Sequence, residues 1–142
     1  MRKLISFVPL LLLLGCSSDT IDLSTPADMN LRVLVWNVLH GGNDVEQGAE
    51  KALAIIRSVK PDLVLLQESY DIDGDRPRLG EWLASELNWN QHQAQSTHLC
   101  VLTPMEIETT FFHDEWHGVG ALLRDSEQRE FLAWSTWIDY RA

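Results

Sequence analysis

Two polar residues, Asn37 and Glu68, each follow a short apolar run of the 142-residue chain. Asn37 comes directly after LRVLVW, and Glu68 comes after LVLLQ. Continuous apolar runs of this length are typical of strands that are buried on both faces of a sheet. Open α/β sheets bind ligands outside the carboxyl ends of their strands. The sequence therefore predicts that the Asn37 amide and the Glu68 carboxylate meet at one ligand-binding site.

Each of these side chains also has a purely structural interpretation. Taken alone, Glu68 would be a solvent-exposed residue at a strand end, and Asn37 would be a turn residue or a helix cap. His40 lies in a glycine-containing loop just past Asn37, where contact with a substrate and simple solvation are equally consistent with the sequence. Three further histidines carry a weaker indication of function: His98, His113 and His117.

A helix is predicted between the two strands. It starts near Asn43, a good N-cap residue with Glu46 three positions on, and Pro61 ends it. Its apolar residues recur at helical spacing and form one buried stripe: Ala49, Ala52, Leu53, Ile56 and Val59.

The rest of the chain predicts one more short helix and four more strands. Leu79, Trp82, Leu83 and Leu87 have the spacing of an amphipathic helix. The predicted strands are residues 99–102, 107–112, 119–123 and 131–134. Trp82, Trp89 and Trp134 are predicted to be core residues, and Cys100 a small buried apolar residue.

The motifs around Asn37 and Glu68 resemble the endonuclease/exonuclease/phosphatase superfamily. Trp36-Asn37 and PDLVLLQE, residues 61–68, are similar to its first two signature motifs, with one helix between them. The resemblance implies an α/β fold, the N-terminal half of a DNase I-like four-layer α/β sandwich with a mixed sheet and flanking helices. It also implies that Glu68 is the principal ligand of a catalytic Mg²⁺, or of Mn²⁺, and that Asn37 lies beside it as a second metal-site and catalytic residue. Mg²⁺ suits such a site because it takes one or two carboxylates and keeps several waters.

The resemblance extends more weakly to the rest of the chain. STHLCVLTPMEIE, residues 96–108, is similar to the strand-turn-strand around the family's "LSRxPI", and residues 118–140 resemble the hairpin that leads to its "THL" motif. Trp137 stands where many members carry His, as in a bacterial branch with "NTWLHY"-like sequences. The predicted substrate-binding residues are His40, Trp137 and Asp139. For Trp137, stacking on an apolar or ring-bearing substrate group and an ordinary place in the core are both consistent with the sequence.

The family's later D-x-N and S-D-H motifs do not occur in residues 31–142. The resemblance therefore implies a truncated domain over residues 31–142, incomplete at its C-terminus. We expect such a chain to lack full activity on its own, because the family's general base belongs to the second of those motifs.

The N-terminus predicts export. Arg2 and Lys3 precede an apolar run, residues 4–14. This run is too short for a membrane-spanning helix, which needs about 20 residues. Basic residues followed by a short apolar run are typical of a signal peptide, here residues 1–15. Leu13-Leu14-Gly15-Cys16 resembles the bacterial lipobox, in which Cys16 is lipidated. Residues 16–30 are then a lipid-anchored flexible tether at the cell envelope, and Ser17 favours the outer membrane.

The charge of the chain bears on its partners. The formal net charge is −10, and loss of Arg2 and Lys3 with the leader makes the mature chain two units more negative. Because Lys and Arg at phosphates drive binding to nucleic acids, a nucleic-acid partner is disfavoured, although a bound cation changes the local field. The predicted partners are a phosphate-ester substrate and, through the anchor, a membrane; no protein partner is implied.

These features favour an envelope-anchored, metal-dependent phosphoesterase. Two alternatives stay open. One is a non-catalytic envelope binding module that retains the fold, and the other, within enzymes, is a secreted nuclease.

Overall fold

The computed structural model describes residues 30–74 and 76–138. The predicted signal peptide, the lipid anchor at Cys16 and the predicted substrate contact of Asp139 lie outside the described residues. The secondary-structure elements, in chain order, are β1 (Val33–Asn37), α1 (Gly48–Val59), β2 (Leu63–Gln67), α2 (Leu79–Leu87), β3 (Asn90–His92), β4 (Cys100–Thr103), β5 (Glu106–Asp114), β6 (Gly118–Arg124) and β7 (Glu130–Thr136).

Four strands form a mixed first sheet in the order β1-β2-β4-β3. β1 and β2 are parallel, with Asn37 opposite Gln67, so both strands end at the same edge. β4 runs antiparallel to β2. Because of this reversal, the residues that precede β4 lie at the edge where β1 and β2 end.

The two faces of β2 contact different layers, as the period-two alternation of a strand requires. Val64 and Leu66 pack with Ile56 of α1 and Leu83 of α2 in a core between the sheet and the helices. Leu63 belongs to a second core, which includes Val101 of β4 and residues Val119, Ala121, Leu123 and Ala133 of the second sheet. The described residues therefore form three layers: helices, mixed sheet and second sheet.

The second sheet is antiparallel, in the order β5-β6-β7. Its inner face carries the small and apolar residues of the second core. Its outer face carries large apolar side chains, including Leu132 and Trp134, and the Trp134 ring stacks on Phe111 at a centroid separation of 5.9 Å. The prediction that Trp134 is a core residue is wrong, because Trp134 lies on the outer face of this sheet.

β1 also departs from the prediction. Its alternate residues Val33 and Val35 are 44% and 63% exposed. They are in register with Leu63 and Leu65, on the face where the second sheet covers Leu63. The prediction that β1 is buried on both faces is therefore wrong, because in the described residues the second sheet does not cover Val33 and Val35.

α1 starts later than predicted. Asn43 does not cap it; the Asn43 amide donates to the Asp71 carbonyl oxygen at 2.9 Å and accepts from the Asp73 N–H at 2.9 Å. The helix begins at Gly48, where a side chain would clash with the carbonyl oxygen of Gly42. Its last residue is Val59, and the C-cap residue Lys60 has a left-handed backbone conformation just before Pro61, where the sequence predicts the end of the helix.

The predictions for α2, for Trp82 and Trp89, and for Cys100 are confirmed. α2 spans the predicted residues, and both tryptophans pack against the core between the first sheet and the helices. Cys100 is a buried free thiol, and burial raises its pKa to about 12, so it is inert at neutral pH. Among the described residues, no helix is both long enough and apolar enough to cross a lipid bilayer.

Candidate functional site

Asn37 and Glu68 meet at the carboxyl ends of β1 and β2, as the sequence predicts. The Asn37 side-chain amide donates to one carboxylate oxygen of Glu68, Oε1, at 2.9 Å. The amide oxygen of Asn37 accepts the Leu39 N–H at 2.9 Å. Asn37 therefore presents its NH₂ group to Glu68 and orients the carboxylate.

The backbone of Glu68 has an unusual conformation. Its φ is +59°, in the left-handed region, which non-glycine residues rarely adopt. Surrounding hydrogen bonds hold it there: the Glu68 carbonyl oxygen accepts the N–H groups of Gly41 at 2.7 Å and Tyr70 at 2.8 Å. Such backbone strain costs on the order of 1–3 kcal/mol per residue and concentrates at functional sites. Here it turns the Glu68 side chain toward Asn37 and the loop after β1.

That loop, residues 38–42, provides the second contact to the carboxylate. The His40 N–H donates to Glu68 Oε2 at 2.9 Å. Leu39 and His40 both have a φ of 48°, so the chain turns tightly around the carboxylate. Gly41, with a φ of +70°, lies so close to Tyr70 that an added Cβ would be 2.9 Å from the Tyr70 carbonyl oxygen. Glycine at this position lets the loop approach Glu68.

The charge state of Glu68 follows from these contacts. Partial burial acts to raise the pKa of the Glu68 carboxyl, but the hydrogen bonds from the His40 backbone and the Asn37 side chain outweigh it and leave the pKa below its usual range. Glu68 is therefore a carboxylate at neutral pH, and each of its oxygens accepts one hydrogen bond.

The His40 imidazole lies on the solvent side of this loop. Its Nδ1 is 2.7 Å from Asp44 Oδ2, and both side chains are at least half exposed. His40 thus contributes its backbone N–H to the carboxylate and holds its ring against Asp44. Its predicted contact with a substrate stays a prediction.

His98 carries only a weak indication of function in the sequence, but the structure places it at the site. It is 1% exposed, and its Nδ1 is 3.3 Å from the Glu68 backbone nitrogen. Its Nε2 is 3.1 Å from the Trp116 carbonyl oxygen. Burial lowers the pKa of the His98 imidazole, which is therefore neutral at pH 7. The antiparallel entry into β4 brings His98 to this edge, and the apolar periodicity of the sequence does not indicate it.

Trp137 lies on the other side of His98. Its ring meets the imidazole edge-on, with centroids 5.2 Å apart, and its backbone N–H donates to the His117 carbonyl oxygen at 3.1 Å. Trp137 is partly buried against the core between the two sheets. Trp137 is therefore at the predicted edge and packs there, while its predicted contact with a substrate stays a prediction.

The tip of the β5–β6 hairpin completes this edge. One carboxylate oxygen of Asp114 accepts the N–H groups of Trp116 at 2.8 Å and His117 at 2.7 Å. These backbone bonds and the His117 side chain lower the pKa of Asp114 to about 2. The hairpin tip also joins the loop before β4, because the Thr97 N–H donates to the Glu115 carbonyl oxygen at 2.8 Å.

The donor set at this edge can hold one Mg²⁺ or Mn²⁺. Within residues 30–74 and 76–138, no group of three or more His, Cys, Asp or Glu side chains has a metal-site arrangement. An ionised carboxylate has about four lone-pair positions, of which Asn37 and His40 use two. Since Mg²⁺ is satisfied by one or two carboxylates and water, the Glu68 carboxylate fits such an ion.

Two surface depressions of the described residues lie away from Glu68. One encloses about 530 Å³, and its lining includes Leu31, Asp62 and Arg129. Leu31 and Asp62 precede β1 and β2, whereas Asn37 and Glu68 follow the apolar runs of these strands. That depression is therefore at the opposite edge of the first sheet from Glu68.

The oriented Glu68 carboxylate lies at the carboxyl ends of the parallel strands, which is where open α/β sheets bind ligands. Residues 34–132 match the Endonuclease/Exonuclease/phosphatase family, and the chain belongs to that family. The predicted family membership is thus confirmed.

Two known proteins are similar over most of the chain. An uncharacterized protein of Caenorhabditis elegans is 30% identical over 134 residues, which are 92% of this chain and 40% of that protein. The human Nocturnin catalytic domain, whose structure contains a bound sulfate anion, has a TM-score of 0.52 at 16% identity and matches 73% of this chain and 48% of that domain. The structural match confirms the predicted DNase I-like fold. The chain spans less than half the length of either protein.

Proposed function

We propose that this chain provides the metal-binding part of a phosphoesterase active site, with Glu68 as the ligand of Mg²⁺ or Mn²⁺. One observation carries the proposal: Glu68 is an ionised carboxylate, held in a left-handed backbone conformation between the ends of two parallel strands. Membership of the family supports a phosphoesterase or nuclease in general terms. Dependence on a metal ion is the more specific part of the proposal.

Hydrolysis of a phosphate ester requires that charge on the phosphoryl group be neutralised and that a water be activated. A bound divalent cation supplies both effects. Asn37 and the His40 N–H fix the direction of the Glu68 carboxylate and lower its pKa. The loop of residues 38–42 thus prepares the carboxylate for a cation before one binds.

The proposed substrate is a small-molecule or lipid phosphate ester. The net charge of −10 opposes long-range attraction of a nucleic acid, whose binding depends on many Lys and Arg contacts. Envelope anchoring through Cys16 belongs to the same proposal and rests on the signal-peptide pattern of residues 1–15 and on the lipobox-like residues at its end. A surface location would give the protein access to lipid and extracellular esters.

Isothermal titration of the full chain with Mn²⁺ and Mg²⁺ tests the metal site. Glu68→Gln keeps the shape of the side chain and removes its charge, so we expect metal binding to be lost. Its NH₂ group also replaces one of the two acceptors of the Asn37 and His40 N–H groups, so the unfolding temperature should fall by the loss of about one hydrogen bond. Glu81→Gln is the matched control, because Glu81 is an exposed carboxylate on α2, away from the site. Equal metal binding by the wild type and Glu68→Gln would overturn the proposal.

Substrate class is tested separately, with p-nitrophenyl phosphate, its bis ester and single-stranded DNA. We expect binding or turnover of the small esters to depend on the metal and to change little with salt. Binding of DNA that weakens steeply with salt would identify a nuclease. Ligand binding that needs no metal and is unaffected by Glu68→Gln would identify the binding module.

A further inference from the structure

We infer that His98 is a positioning residue, which holds the Glu68 backbone in its left-handed conformation and ties it to the β5–β6 hairpin. The inference rests on the proposed role of Glu68 as a metal ligand. It assigns a task to a buried histidine that carries only a weak indication of function in the sequence.

The hydrogen bonds of His98 define its tautomer. The Glu68 N–H can only donate, so His98 Nδ1 accepts it and carries no proton. The Trp116 carbonyl oxygen can only accept, so Nε2 carries the proton and donates. His98 is thus a neutral imidazole with a hydrogen bond at each ring nitrogen, and it joins two backbone groups from different parts of the fold.

Three aromatic rings fix the orientation of the imidazole. Tyr70 stacks on it with centroids 5.8 Å apart, Trp116 lies tilted at 5.6 Å, and Trp137 meets it edge-on at 5.2 Å. Because His98 is buried and enclosed in this way, its ring cannot rotate away from Glu68 without breaking both hydrogen bonds.

The two bonds connect the two sheets at the site. Glu68 follows β2 of the first sheet, and Trp116 belongs to the hairpin of the second sheet. The orientation of the Glu68 carboxylate therefore depends on how the second sheet is seated on the first. Outer-shell partners that orient metal ligands in this way typically change metal affinity by about 10–100-fold when they are replaced.

Three substitutions separate the two hydrogen bonds. His98→Asn keeps an acceptor near the position of Nδ1, His98→Gln places its amide near the position of Nε2, and His98→Phe keeps a ring but neither bond. We expect Mn²⁺ affinity to fall about tenfold or more in His98→Phe and His98→Gln and less in His98→Asn. His92→Asn is the matched control, since the His92 ring contacts the Phe111 carbonyl oxygen and not the site.

Two measurements do not require metal or activity. In the wild type, the ¹⁵N resonances of His98 should show a neutral ring protonated at Nε2. This measurement needs no variant, so it tests the inference even if a His98 variant fails to fold. Hydrogen exchange of the Glu68 amide should be slow in the wild type, somewhat faster in His98→Asn and fast in His98→Phe.

The outcomes distinguish this inference from the proposed function. Absence of metal binding by the wild type would refute the proposed function. Hydrogen exchange of the Glu68 amide and the tautomer of His98 would still decide whether His98 is a positioning residue. A proton on Nδ1, or a Glu68 amide equally protected in the wild type and His98→Phe, would overturn the positioning role. Metal affinity in His98→Phe equal to that of the wild type would overturn its consequence for the site.

Discussion

Ser135 of β7 donates its hydroxyl to the Leu66 carbonyl oxygen of β2 at 2.8 Å, although the two residues are 69 positions apart in the chain. Ser135 is fully buried between the two sheets. A polar side chain in this interface is stable only with a partner, and the bond fixes where β7 lies on β2. The hydrogen bond from Ser135 to Leu66 thus helps to fix the position of the second sheet on the first. The arrangement around Glu68 depends on that position.

The first prediction concerns this contact. Ser135→Ala should lower the free energy of unfolding by about 1 kcal/mol, because it removes one buried hydrogen bond and leaves little cavity. Urea denaturation of the full chain measures the change. Ser126→Ala, in the exposed turn between β6 and β7, serves as the control and should have almost no effect. Equal stability of the two variants would show that the bond contributes nothing.

The second prediction concerns the pKa of Glu68. Its folded pKa lies below the usual value, so its contribution to stability is present above the unfolded pKa and is lost as the pH falls through the folded pKa. Asn37→Ala removes one of the two donors to the carboxylate, so the folded pKa should rise and the loss should begin at higher pH.

A ¹³C NMR titration of the Glu68 carboxyl measures this shift. Asn43→Ala is the control, because Asn43 also makes two hydrogen bonds to neighbouring backbone but does not contact Glu68. If Asn37→Ala and the wild type titrated at the same pH, the Asn37 contact would not control the charge of the carboxylate.

The third prediction concerns the tip of the β5–β6 hairpin. Hydrogen bonds from the Trp116 backbone and the His117 side chain lower the pKa of Asp114 to about 2. The contribution of the Asp114 carboxylate to the free energy of unfolding is therefore complete above its unfolded pKa of about 3.9, and it is lost as the pH falls toward about 2. The Trp116 and His117 amide resonances should shift together over that range. Asp114→Asn should abolish this transition, and its persistence there would assign it to another group.

The parts of the site differ in how well the sequence predicts them. Asn37 and Glu68 were predictable because each follows an apolar run, and parallel strands deliver their ends to one edge. His98 was not, because its place depends on β4 running antiparallel to β2 and on a hairpin from the second sheet. These are contacts between distant segments, which apolar periodicity does not indicate.

The misjudged elements have similar causes. Asn43 is a suitable helix cap by type, but its side chain bonds the loop at residues 71–73 instead, so local preference yielded to a tertiary contact. Trp134 and Val35 are apolar in sequence, yet Trp134 lies on the outer face of the second sheet and Val35 is left exposed beside that sheet. The strand β3 has the polar sequence NQH and carries no apolar pattern that could indicate it.

The last prediction concerns Gly41, which lets the loop after β1 reach Glu68. Gly41 and Gly74 have nearly the same φ, +70° and +74°. They differ in surroundings: an added Cβ at Gly41 would lie 2.9 Å from the Tyr70 carbonyl oxygen, whereas at Gly74 nothing lies within 4 Å. Gly74→Ala should therefore cost about 1 kcal/mol of stability, from the left-handed backbone alone.

Gly41→Ala should cost more than Gly74→Ala, because the loop must also move away from Tyr70. That movement would withdraw the His40 N–H from Glu68 Oε2, so Mn²⁺ affinity should fall in Gly41→Ala and stay at the wild-type level in Gly74→Ala. Denaturation curves and metal titrations on the same two variants separate backbone strain from displacement of the loop. Equal losses of stability with unchanged metal affinity would mean that the carboxylate is oriented without the loop, by Asn37 and the Glu68 backbone.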